Sequence, residues 1–212
     1  MNRMLRTALA ASALATLAAC SSLIGGPKQT PTIYAPDPPL AADPDWPAVQ
    51  WQLGTTRPSA PRMLDSARIV VSPVPGELQV YKGALWASSA PDMVEAAVLH
   101  TLEDSGKLPA VARQGTGIAA DYRLVMDIRH FEADYRGGDA PEAVVEVHAQ
   151  LVHLRDQTVA GSRSFRQARP VAGTAVPLVA DAFGQALGAI GHDIAGWVLA
   201  SGEAHQQAAH PR

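Results

Sequence analysis

Cysteine occurs once in the 212 residues, at Cys20, so no disulfide can form within the chain and the thiol must have another use. Basic surplus is missing too: the formal charge is −3 and the isoelectric point about 6.1. That balance argues against binding a phosphate backbone, and so against nucleic acid as a partner, and against holding anionic headgroups by charge alone. The one sustained apolar run, residues 8–19, is too short for a comfortable membrane span. Catalytic signatures are also lacking. No G-x-S-x-G elbow appears, Gly115-Thr116-Gly117 is too short for a phosphate loop and lacks its lysine, and the carboxylates form no recognisable acid and base pair. The expectation is a protein that is not an enzyme and carries neither cofactor nor metal.

What is present begins with the leader. Arg3 and Arg6 precede the apolar run, which is the order of an export signal, and the run ends Leu17-Ala18-Ala19-Cys20. These four residues resemble the lipobox of bacterial lipoproteins, in which the thiol receives diacylglycerol before cleavage. The expected product is a mature chain starting at a lipidated Cys20, with acyl groups such as palmitate as its only covalent addition. Losing Arg3 and Arg6 with the leader leaves a charge of −5 in place of −3. Several acyl chains, at ~0.8 kcal/mol per buried methylene, make a durable anchor. Ser21 stands where aspartate would resemble the inner-membrane retention signal, so the sorting rule points to the periplasmic face of the outer membrane.

Four parts follow: a signal peptide at 1–19, the lipidated cysteine and a flexible tether at 20–31, one domain at 32–202 with a proline-rich early loop, and a disordered polar tail at 203–212. Seven prolines between Ser21 and Pro47 forbid helix there, and much of this stretch reads as tether or surface loop. Thr32-Ile33-Tyr34, residues 50–55, 68–74 and 77–81 read as short strands. Ser89 offers an N-cap and Pro91 presets a first turn. Asp92 is placed to reach back to the cap, Val94, Val98 and Leu102 recur every fourth residue, and Gly106 supplies a stop. A helix is expected there.

Alternation from Tyr122 to Arg129 and from Val145 to Leu151, then a strand over 159–166, predicts an antiparallel meander. A long amphipathic helix opens near Thr174 and places Val179, Phe183, Leu187, Ile190, Ile194 and Trp197 on one stripe. Gly184, Gly188 and Gly191 weaken it in isolation and imply close backbone approach. The fold class read from this order is α+β, with a mostly antiparallel sheet and two helices packed on one face.

Among individual residues, Glu146 and His148 share one strand face while His153 takes the other, which speaks against a metal held by the three. Tyr122, Phe183 and Trp197 read as core markers. Trp86, in what reads as a loop before the first helix, and nearby Tyr81 are the candidates for a partner interface.

Thr32-Ile33-Tyr34, Arg68-Ile69-Val70, Leu85-Trp86-Ala87, Ala120-Asp121-Tyr122-Arg123-Leu124 and the stretch from Ala182-Phe183 to Trp197-Val198 carry a wider likeness. In them the chain resembles the auxiliary lipoprotein component of ABC-type transport systems, the family that includes paraquat-inducible protein C. The resemblance implies a periplasmic partner of a membrane ATPase, a permease and an MCE-domain protein that move lipids or other apolar molecules between membranes. The lipoprotein would dock the MCE protein at the outer membrane, where tethering raises effective concentration. A homo-oligomeric ring would suit the end of a tunnel. The alternative is a lipoprotein that regulates or assembles another envelope machine, for peptidoglycan synthesis or lipopolysaccharide export.

Overall fold

A computed structural model describes residues 30–209. The leader, Leu17, Ala18, Ala19, Cys20 and most of the expected tether lie outside the described residues. Eight strands and two helices follow in the order β1 (Thr32–Tyr34), β2 (Leu53–Thr55), β3 (Arg68–Ser72), β4 (Gln79–Trp86), α1 (Ala90–Ser105), β5 (Val111–Arg113), β6 (Tyr122–Asp134), β7 (Glu142–His153), β8 (Thr158–Pro170) and α2 (Val176–Ala209).

Strand β6 is the spine. β7 pairs antiparallel along it, from Tyr122 opposite His153 to Asp134 opposite Glu142, and β8 continues the meander. The other edge of β6 is shared. β2 lies parallel to its first residues and β3 parallel to its last, with a bridge from Ser59 to Asp127 between them. β5 flanks β2 in parallel, β4 flanks β3 antiparallel, and β1 lies outside β4 in parallel. The α+β class stands, but the sheet is mixed and not mostly antiparallel: four of the seven strand pairings are parallel. Parallel neighbours need a long return, and the loops before β2 and β3 and the α1 crossover before β5 provide one for the short strands.

Strand β6 also runs well past Arg129. A register shift between Ile128 and His130 moves the inward phase from Tyr122, Leu124, Met126 and Ile128 to Phe131 and Ala133. A bulge inserts one residue and so breaks the period-two pattern from which the sequence ends the strand early.

Both helices cover one face. Val94, Val98 and Leu102 of α1 are buried with Val179, Phe183, Leu187, Ile190 and Ile194 of α2 in one cluster with the inward β6 and β7 residues. α1 starts after an extended Ser89 and stops at Gly106, whose φ of 61° is left-handed. The Ser89 hydroxyl does not cap the helix; it donates instead to Asp92 Oδ2 at 2.7 Å. α2 continues through Ala209, so residues 203–209, expected to be a disordered tail, are helical. The reason is tertiary: Tyr122 Oη reaches His205 Nδ1 at 2.9 Å, and Trp51 packs over Gly202.

The opposite face of the meander is polar. Glu146 lies 3.6 Å from Arg166 and 4.0 Å from Arg129, and His148 hydrogen-bonds Ser164 and Ser162.

Candidate functional site

Trp86, expected in a loop as a partner anchor, is the last residue of β4 and only 3% exposed. It meets Phe183 edge-on at 5.2 Å and Phe131 at 6.3 Å, while Phe131 and Phe183 stack at 4.7 Å. The alternation that points Ala84 inward points Trp86 inward as well, and α2 covers it. Trp86 is therefore a core residue and not an interface anchor. Tyr122 and Phe183 are fully buried. Trp197 is half-buried and lies over Gly161 and the edge of Phe165 on β8.

Tyr81 sits differently. It is half-buried near the start of β4, and its hydroxyl lies 3.3 Å from that of Tyr135. Burial first, then this bond, pushes the Tyr81 phenol well above its ordinary range. Around it, the β3–β4 turn and the start of β4 expose Val74, Leu78 and Val80 at 44%, 50% and 38%, an unusual grouping in a domain whose other apolar residues are mostly covered. Gly76, at φ 85°, makes this turn. The β6–β7 connection joins the same end: Gly137 N donates to Pro73 O at 3.0 Å, and Arg136 pairs with Asp134 and Glu142. β1 pairs β4 only from Ala84 to Trp86, so among the described residues the earlier half of β4 has no strand on its outer side. Lys82 and Gly83 on that edge are residues that discourage indiscriminate strand pairing.

A second concave region, about 500 Å³, is lined by Thr55, Thr56, Arg57, Asp92, Glu95, Arg113 and Gln114. Its charges are mutually satisfied. Arg57 bridges Asp65 at 2.7 Å and Asp92 at 2.8 Å. The arginine, by hydrogen bonding, holds both carboxyls below the usual range. Glu95 is buried and accepts from Thr55 at 3.0 Å and Arg113 at 3.1 Å. These bonds tie β2, β5 and α1 together and give each carboxylate of the cleft a donor.

Sequence reasoning passed over Trp46 and Trp51. Trp51 is 4% exposed, 4.7 Å from the Tyr122 ring, and its buried Nε1 has no hydrogen-bond partner among the described residues. Trp46 covers Gly196 and contacts His192. Glycine at positions 196 and 202 was the only sequence signal for these contacts. His148 and Glu146 face outward and His153 inward, so these three do not converge.

A mixed sheet backed by two helices pairs the charges of its cleft and exposes Val74, Leu78 and Val80 together at one turn-bearing end, while Ile33, Val159 and Leu178 are exposed singly elsewhere. The model of the family described as ABC-type transport auxiliary lipoprotein component matches residues 32–195, and the chain belongs to that family. Protein XCC0632 from Xanthomonas campestris has a crystal structure with a TM-score of 0.80 and 49% identity, covering 83% of this chain and 99% of that one. A solved structure of an uncharacterized protein has 15% identity and a TM-score of 0.61, covers 80% of this chain and 99% of its own, and so shares the fold. An uncharacterized protein of Bradyrhizobium diazoefficiens, bll6063, is 28% identical over 69% of this chain, and the chain spans only 39% of that relative's length. Among the described residues no helix is long and apolar enough to cross a membrane.

Proposed function

We propose that the chain is a non-enzymatic periplasmic lipoprotein, anchored at the outer membrane through Cys20, that serves an ABC-type transport system moving lipids between membranes. Its β3–β4 end docks the MCE-domain protein of that system. The observation that carries the docking surface is the exposure of Val74, Leu78 and Val80 beside the Tyr81 and Tyr135 pair and an open stretch of β4 edge. Apolar and aromatic groups at a patch centre supply most interface energy, and an open edge can add main-chain hydrogen bonds. Membership of the family supports the link to an ABC transporter, and the lipobox in the sequence supports the anchor. Its role is mechanical: the lipid holds one end, and the domain holds the partner's tunnel near the membrane so that apolar cargo need not cross water.

The experiment is purification of the tagged mature lipoprotein in mild detergent, with identification of what accompanies it. MCE and permease proteins are expected with the native chain and at least tenfold less of them with Leu78→Asp. Recovery of cell-wall or lipopolysaccharide-export proteins in their place would overturn the proposal in favour of a regulatory role in another envelope machine. Mass spectrometry of the N-terminus tests the anchor separately, and an unacylated Cys20 would remove it.

A further inference from the structure

The geometry points to a divalent transition-metal site, with zinc the best-fitting ion, formed by His153, Asp156 and His205 where the β7–β8 hairpin meets the last turns of α2. One donor atom from each residue lies within 4.8 Å of the others. Zinc takes nitrogen at about 2.0–2.1 Å and carboxylate oxygen at about 2.0–2.2 Å, so donors around one ion sit roughly 3.3 Å apart. The three are therefore within a side-chain rotation of a shared ion. His153 ends β7, Asp156 stands in the turn that Gln157 closes at φ 58°, and His205 comes from an element about fifty residues on. Only the tertiary fold brings them together.

The surroundings orient the ligands. Tyr122 Oη lies 2.9 Å from His205 Nδ1. With that nitrogen protonated and donating to the phenol, Nε2 keeps its lone pair, on the side where Thr158 Oγ1 approaches at 3.3 Å. Thr158 Oγ1 donates its one proton to Asp156 Oδ1 at 2.7 Å, so the same hydroxyl oxygen stands beside both His205 Nε2 and the carboxylate. A second bond that selects the tautomer and fixes the ring is the usual outer support of a metal-bound histidine. His153 is 5% exposed and its ring lies 4.9 Å from Tyr122 and 5.2 Å from His205, so it has little freedom to turn away.

His153 Nδ1 is 2.8 Å from Asp156 Oδ1. On metal binding the His153 Nδ1–H bond breaks and its proton passes to solvent while Nε2 takes one up, so the ring stays neutral, the ion takes the Nδ1 lone pair, and the pair opens by a few tenths of an ångström. Asp156 is exposed at the turn and gives the ion a way in. Two histidines and one carboxylate leave a fourth position for water or for a donor from a partner. Imidazole-rich donors bind nickel and copper as well as zinc, and exclude magnesium and calcium as good fits.

The test uses the full mature lipoprotein in detergent, purified through a tag without histidines, stripped with chelator and titrated with zinc chloride. One zinc per chain is expected. Asp156→Asn and His205→Gln are each expected to weaken binding at least tenfold, and Tyr122→Phe about tenfold through loss of the outer bond. His148→Gln, on the opposite face, should leave it unchanged. Cobalt(II) on the native chain reads the site without any substitution, because a site of low coordination absorbs strongly in the visible. Absence of that absorption, less than a tenth of a zinc per chain, or zinc affinity unchanged in both ligand variants would overturn the proposal.

Discussion

Gly188 of α2 lies directly against Pro39, where a β-carbon would come within 2.7 Å of the Pro39 carbonyl oxygen. The contact belongs to a series. Asp37 approaches Gly184, Trp46 covers Gly196 and Trp51 covers Gly202, so the proline-rich loop runs alongside α2 in the helix's own direction. Gly191 faces α1, where a β-carbon would stand 2.9 Å from the Ala97 carbonyl oxygen.

Gly188→Ala sets helix propensity against the Pro39 contact. Alanine gains roughly 1 kcal/mol in a helix interior, while forcing backbone apart in a packed site costs roughly 1–3 kcal/mol. Urea unfolding should show a net loss, because the atom met is backbone and cannot rotate aside. A gain in stability would mean that the loop does not pack on the helix as described.

Trp86→Ala should cost about 3–5 kcal/mol, as for other large aromatic truncations in a core. Trp86→Phe should cost markedly less and should leave partner recovery unaltered. Loss of partner with full stability in the phenylalanine variant would return Trp86 to the interface.

Leu78→Asp should change unfolding free energy by no more than about 0.5 kcal/mol, since an exposed side chain away from special features contributes little. This makes it a clean probe of docking. A large loss of stability would show that Leu78 is buried against something within the chain.

Acid sensitivity follows from Asp65 and Asp92, whose folded pKa values Arg57 depresses. A depressed carboxyl adds stability that is fully present above its unfolded value, about 3.9, and is lost as pH falls through the folded value. Unfolding monitored below pH 4 should therefore show stability falling with acid, and Arg57→Ala should flatten that dependence. The pairs are about half exposed and screened by solvent, so at neutral pH the substitution should change stability little. An unchanged acid slope in the variant would refute the linkage.

How far the sequence could be read depended on how local each cause was. The α1 start at Ser89 and Pro91 and its stop at Gly106 were legible, because capping and turn chemistry act within a few residues. The β6–β7–β8 meander was legible from period-two alternation, up to the bulge at Ile128 that hid the rest of β6. Parallel placement of β1, β2 and β5 was not, since three-residue strands carry too few positions to reveal their neighbours. Trp86 looked like a loop anchor because β4 follows no clean alternation from Val80 to Trp86, where Gly83 takes φ 72°.

By itself the sequence determined both helices with their apolar stripes, the three strands of the meander and their division into a covered and a polar face, and the family likeness that the match over residues 32–195 bears out. All of these rest on periodicity or on short contiguous patterns. Only tertiary structure decided that the proline-rich loop lies in the glycine notches of α2, that Val74, Leu78 and Val80 stay uncovered, and that His153, Asp156 and His205 converge. Each of those depends on which distant segments come to lie side by side, and that is set by packing of the whole core.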